Sequence, residues 1–565
     1  MHPGLHNQLR PNKLAFVSDD GTQQTTYRQL DEQSNQTAHF LSSLGLKHRD
    51  GIAILLDNDL RFLTIAWAAQ RSGLYFTPIS TFFQAMEVNY ILENCEARVL
   101  FTKQSILDQT NLTLPPQLTV VTLDRGPSLS WGTAISDFPI TPQADAREGA
   151  EMIYSSGTTG LPKGVRFDLP LSPVGTVSDL IAKRIEMHGV NDNTKYLSTA
   201  PLYHSAPLRY NLMVSRLGGT SVIMRKFDAQ QALRLIEQHR ITHSQWVPTM
   251  FNRLLALPQS ARDSADLSSL QYAIHAAAPC PIEVKQAMIA WWGNILYEYY
   301  SGTESNGSTA ITSAESLTHP GSVGRAFHGT LRILDDDYNI LPAGAIGSVY
   351  FENGTDFSYF KDEAKTAAAK SPQGFTTLGD MGYLDDAGYL YLKDRKSFMI
   401  ISGGVNIYPQ EIEDLLVSHD VVLDAAVFGV PDADFGEAVK AVVELNPRYK
   451  TQEPDALAEK LIAFCRANLS HIKCPKSIEF IEVLPRHPTG KLFRNTEGEA
   501  WCNKSLEKAF RRLRERLQKL KATGKIVCDL GNATMYSTRH TFAKRTLGGY
   551  WSKKPCTLEQ LAARM

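Results

Sequence analysis

Up to about residue 390 the chain alternates short apolar runs with amphipathic segments, and this alternation constrains its fold more than any other feature. GIAILLDN (51–58), ARVLFT (97–102), LTVVTL (118–123), TSVIMR (220–225) and GSVYFE (347–352) read as strands. DAQQALRLIEQHR (228–240) opens on an aspartate and carries apolar residues at helical spacing. Strands alternating with helices predict parallel sheets covered by helices, the α/β class. From Tyr383, YLDDAGYLYLKDRKSFMII predicts a hairpin turning at Asp-Ala-Gly. A smaller α/β unit follows, with PQEIEDLLVSH and ALAEKLIAFCRANL as helices and DAAVFGV and KAVVEL as strands. The expected organisation of the 565 residues is a large multi-subdomain body over 1–394, a small lid-sized α/β unit over 395–492 and a tail of different character over 493–565.

Composition narrows the function classes. With 43% hydrophobic residues, 21% charged residues and a formal net charge of -1, the whole chain has no electrostatic reason to seek nucleic acid or a membrane. The seven cysteines are odd in number and form no C-x-x-C pair, which speaks against a disulfide framework and a zinc site and predicts a reducing compartment. MHPGLHNQLRPNK lacks the apolar core of a signal peptide, and no apolar run approaches the ~18–20 residues of a membrane span. A cytoplasmic protein without integral membrane association is expected.

YSSGTTGLPKGV (154–165) suits a polyphosphate: glycines let backbone N–H groups approach an anion, hydroxyls donate to it, and Lys163 adds charge. The spacing is not that of G-x-x-x-x-G-K-[ST], because Pro162 stands at the second glycine and Gly164 at the Ser/Thr. The preceding GAEMIY reads as a short buried strand, so the loop is expected to hang from a sheet end. No G-x-S-x-G occurs, so a serine-hydrolase reading gains nothing. YYSGTES (299–305), TTLGDMGYL (376–384), KDRKSFMIISGGVNIYPQEIE (393–413) and PRHPTGKLFR (485–494) add carboxylates, an arginine, a double glycine and a loop lysine. Each alone is explained by a helix start, a turn or a solvated side chain.

Together and in this order, these segments resemble the adenylate-forming superfamily of acyl-CoA synthetases, luciferases and peptide-synthetase adenylation domains, over roughly residues 10–492. PLYHSAPL (201–208) and THSQWVPTMF (242–251) are most similar to bacterial fatty-acid-type acyl-CoA synthetases. The resemblance implies ATP, magnesium and coenzyme A. It implies that Ser155, Ser156, Gly157, Thr158, Thr159, Gly160 and Lys163 hold the β- and γ-phosphates. Ala276, Ala277 and Ala278 would line the adenine pocket, Tyr300 would stack on adenine, and Asp380 and Arg395 would bind the ribose hydroxyls. Thr303 would contact the α-phosphate, Glu304 would hold magnesium, and Lys491 would be the adenylation lysine. Gly403 and Gly404 would let the pantetheine arm of CoA pass, His204 would stand at the mouth of the acyl pocket, and Ser397 would be the hinge. The chemistry agrees: charge building on an α-phosphoryl group calls for a metal ion and a lysine.

The stretches expected to line the acyl pocket are apolar or small, with Ala276 to Ala278, Ser301 and Gly302, which predicts a fatty, steroid side-chain or aryl acid. His243 and Trp246 are candidates for that pocket, although such residues in a buried strand more often belong to a core. An aryl ligase of the coumarate type, a carrier-protein-loading enzyme and an inactive remnant are the competing readings. The tail resembles a fragment of a phage-type tyrosine recombinase: YSTRHTFAKR places Arg539 at its arginine, while Tyr536 replaces the usual histidine. An inactive fused fragment is expected, with at most weak DNA binding by its basic helix.

Overall fold

The computed structural model describes residues 1–484 apart from 111, 125, 156–161, 396, 397, 403, 404, 433, 434 and 450–452. Two large sheets form the body. In one, six parallel strands run in the order Leu129–Ser130, Thr119–Thr122, Ala97–Thr102, Gly51–Ile54, Tyr75–Pro78 and Ala150–Glu151. In the other, parallel strands Leu296–Ser301, Tyr272–His275, His243–Trp246, Lys195–Ser198, Thr220–Ile223 and Leu14–Ser18 are flanked by antiparallel edges.

The helix Leu60–Gln70 belongs to a core that draws Phe16 and Ile223 from one sheet and Ile52, Phe76, Val99 and Phe101 from the other. A helix covered on every side needs no polar face, which explains the run LRFLTIAWAAQ. Its start is set by Asp59, whose carboxylate accepts from the Arg61 N–H. The preceding helix Tyr27–Ser43 starts in a capping box of Thr26 and Gln29. The expected helix near 228–240 runs Ala229–His239 and is capped by Asp228.

GSVYFE departs from the parallel expectation. Gly347–Glu352 lies in a four-stranded antiparallel sheet with Thr330–Leu334, Thr376–Leu384 and Leu390–Arg395. A strand motif by itself carries no direction, and the connection at 335–346 returns the chain antiparallel beside Thr330–Leu334.

The small unit packs helices Pro409–Val417 and Pro454–Asn468 against a sheet built mainly from the long hairpin Val422–Asp432 and Gly436–Leu445. Ile412 and Leu416, and Leu457, Leu461 and Cys465, recur at helical spacing and form its core. Asp414, on the first helix, accepts from Gln410 Nε2 at 2.7 Å. Burial, with Glu413, Glu283 and Asp394 adding repulsion, raises its carboxyl to about 7. A carboxyl so raised contributes stability that is full below the ordinary carboxylate range and is lost as pH rises through about 7. Resistance to thermal unfolding is therefore expected to fall as pH rises from about 4 to about 7 in the native protein and to level off above that. Asp414→Asn should flatten that slope; an unchanged slope would exclude Asp414 as its source.

Candidate functional site

The segments on either side of the phosphate-type loop pair antiparallel. Ile153–Ser155 pairs with Lys163–Arg166, and Ser155 stands opposite Lys163. The flanking strands belong to a separate antiparallel sheet, since the preceding parallel strand, Ala150–Glu151, has already finished. A third strand, Ser358–Tyr359, pairs with Lys163–Arg166 and sets Tyr359 opposite Val165.

Tyr359 draws distant segments together. Its hydroxyl donates to Glu304 Oε1 at 2.9 Å, and Lys163 Nζ lies 4.9 Å from its ring centroid. Glu304 is buried. Gly302 leaves room for it, since a Cβ there would come within 2.7 Å of Glu304 Oε2. Arg209, on the helix Ser205–Arg216, fixes the Thr303–Ser305 turn. It donates to Glu151 Oε1 at 2.7 Å, to Ser305 Oγ at 2.9 Å and to the Thr303 carbonyl at 3.1 Å. Ser305 has a φ of 50°, a conformation that the arginine fork helps to hold.

On the other side of this turn, Tyr300 donates to Asp380 Oδ2 at 2.6 Å, and Phe351 backs its ring. Asp380 stands opposite Arg395 in strand register. Ala276 to Ala278 follow directly after the strand Tyr272–His275, with Ala277 in the left-handed region at φ 78°. His204 N-caps the Arg209 helix and packs its ring on Tyr203. The structure thus gathers Lys163, Thr303, Glu304, Tyr300, Asp380 and the Ala276 loop around the ends of neighbouring strands. Ser156, Gly157, Thr158, Thr159, Gly160, Ser397, Gly403, Gly404 and Lys491 lie outside the described residues. His243 and Trp246 belong to the interior: His243 Nε2 bonds the His188 carbonyl, and the Trp246 indole donates to Ser244 Oγ.

Glu304 is a single hard carboxylate, and no group of three metal-type ligands occurs among the described residues. That donor set fits magnesium, which takes one or two carboxylates and completes its shell with phosphate oxygens and water. Among the described residues no helix is long and apolar enough to cross a membrane.

Sequence reasoning missed Tyr359 and Arg209, which carry no local signature; each acquires its role from partners far along the chain.

Comparison with known proteins agrees with this geometry. The sequence profile of the AMP-binding enzyme family matches residues 6–355, and that of the AMP-binding enzyme C-terminal domain matches residues 411–491. A long-chain-fatty-acid–CoA ligase of Mycobacterium tuberculosis is 29% identical over 502 residues, covering 87% of this chain and 96% of the relative. A ligase of Rhodococcus jostii, named for a methyl-dioxo-octahydroindenyl-propanoyl group, is 30% identical over 502 residues, covering 84% and 94%. The ATP-bound crystal structure of MatB from Rhodopseudomonas palustris superimposes with a TM-score of 0.73 at 25% identity, covering 87% of this chain and 97% of that one. The chain belongs to the AMP-binding enzyme family, in the company of acyl- and aryl-CoA ligases.

Proposed function

We propose that the protein is an ATP-dependent acid–thiol ligase that converts a carboxylic acid to an acyl-adenylate and passes the acyl group to coenzyme A. The observation that supports this most is the Tyr359 bridge, which brings the Lys163 ammonium and the Glu304 carboxylate to one point beside Thr303. A cation over the ring and a carboxylate at its hydroxyl suit a triphosphate carrying magnesium. Magnesium, when bound, supplies charge stabilisation at the phosphoryl oxygens. Glu304 would hold it, Tyr359 orients Glu304, and Lys163 would pair with the outer phosphates. Asp380, an acceptor for two hydroxyls, suits a ribose diol.

Lys491 and Gly404 serve successive half-reactions in this reading, with Ser397 as the hinge between them. The acid has an apolar body, fatty, alicyclic or aryl. Residues 493–565 are a fused fragment without strand-transfer activity.

The test is pyrophosphate release across a panel of acids, with and without CoA. ATP-dependent thioester with at least one acid is expected, and none with any acid would end the ligase reading. Adenylate formation without transfer to CoA would favour a carrier-protein acceptor. Glu304→Gln keeps the shape of the ligand but removes its charge, so KM for magnesium-ATP is expected to rise about ten- to hundredfold with acid binding unchanged. An unaltered magnesium dependence would assign the metal elsewhere.

A further inference from the structure

The face of the nine-stranded sheet beneath the helices Asp179–Met187 and Ser205–Arg216 holds polar groups that the site described above does not use. Tyr299, Gln245 and Tyr196 point to this face from three strands, because each lies an even number of positions from its paired neighbour. The Tyr196 hydroxyl donates to Gln245 Oε1 at 3.2 Å, and Gln245 Nε2 donates to the Tyr299 hydroxyl at 3.3 Å. Tyr210 packs its ring on Tyr196 at 4.5 Å, is 5% exposed, and its hydroxyl has no hydrogen-bond partner among the described residues. The Arg184 guanidinium lies 5.3 Å from the Tyr299 ring centroid, and among the described residues no carboxylate pairs with it.

This set is one-sided. Gln245 accepts from Tyr196 and donates to Tyr299, so the Tyr299 O–H still has a proton to give. Tyr210 offers another O–H and Arg184 a fork of N–H groups. Burial pushes both tyrosines up, which keeps them protonated donors, and Arg209 adds a second positive field near Arg184. An unpaired guanidinium and an orphan buried hydroxyl are each costly unless an acceptor meets them.

We infer that Arg184, Tyr210 and Tyr299 form a subsite for a second carboxylate at the far end of the acid substrate. The inference rests on the ligase reading above and names the substrate class within it: a dicarboxylic acid with an apolar middle. Tyr299 is four residues before Thr303, so at a strand rise of ~3.3 Å per residue the two carboxylates lie within about 13 Å, an upper bound inside which a diacid of about six to eight carbons fits. Arg184 escaped the sequence reading because it lies outside every stretch expected to line the pocket.

The experiment compares suberate with octanoate, and adipate with hexanoate, by calorimetric binding to the full-length protein with AMP present, and in parallel by pyrophosphate release. Each diacid is expected to bind at least tenfold more tightly than its matched monoacid. In Arg184→Met the diacid-to-monoacid ratio should fall by about thirtyfold, the effect of a lost charged hydrogen bond. Tyr210→Phe, which changes one oxygen in a packed ring, should lower the ratio severalfold and serves if the arginine variant does not fold. Monoacids binding as well as diacids, or ratios unmoved by both variants, would overturn the subsite. Tight diacid binding without pyrophosphate release from any acid would uphold the subsite and count against the ligase reading alone.

Discussion

Lys491→Ala is expected to lower ATP-dependent adenylate formation by about three orders of magnitude while a pre-formed acyl-adenylate is still converted to thioester at nearly the native rate. Charge grows on the α-phosphoryl oxygens as the acid carboxylate attacks and pyrophosphate departs. A lysine aimed at that charge stabilises the transition state more than the ground state, so its loss falls on kcat. The second half-reaction releases AMP to an attacking thiol and, in the proposed scheme, takes place with the other face of the lid turned inward. Pyrophosphate release measures the first step, and single-turnover thioester formation from synthetic adenylate measures the second. Equal loss in both would make Lys491 a structural residue.

Arg209→Met is expected to lower kcat/KM for ATP by about a hundredfold and to destabilise the protein by about 3 kcal/mol, because Glu151 is left with a buried, unpaired charge. The Arg209–Glu151 pair is 2.7 Å long, with both side chains largely buried. The two effects separate. Glu151→Gln combined with Arg209→Met removes the stranded charge and should recover most of the stability. It should leave activity low, because the Thr303 carbonyl and Ser305 hydroxyl have still lost the groups that hold their turn. Arg209→Lys keeps the charge but lacks a three-directional planar fork, so it should fold well and act poorly. Thermal unfolding and ATP kinetics on the three variants decide the matter. Activity restored along with stability in the double variant would reduce Arg209 to a structural ion pair.

The sequence by itself determined what depends on near neighbours. The cap at Asp228, the turn after Leu384, the helical spacing of Ile412 and Leu416, and the glycine- and hydroxyl-rich run at 154–165 are written in contiguous residues, because backbone propensity and local hydrogen bonds act over a few positions. The order of those segments also identified the family. Tertiary structure alone decided strand direction in Gly347–Glu352 and the antiparallel pairing on either side of the phosphate-type loop. It alone brought Tyr359 to Glu304 across 55 positions, Arg209 to Thr303 across 94 and Gln245 to Tyr299 across 54. An isolated tyrosine or arginine has no periodicity that announces its partner. Its role comes from the polar groups that packing places within ~3 Å of it, and which groups those are depends on how distant strands register.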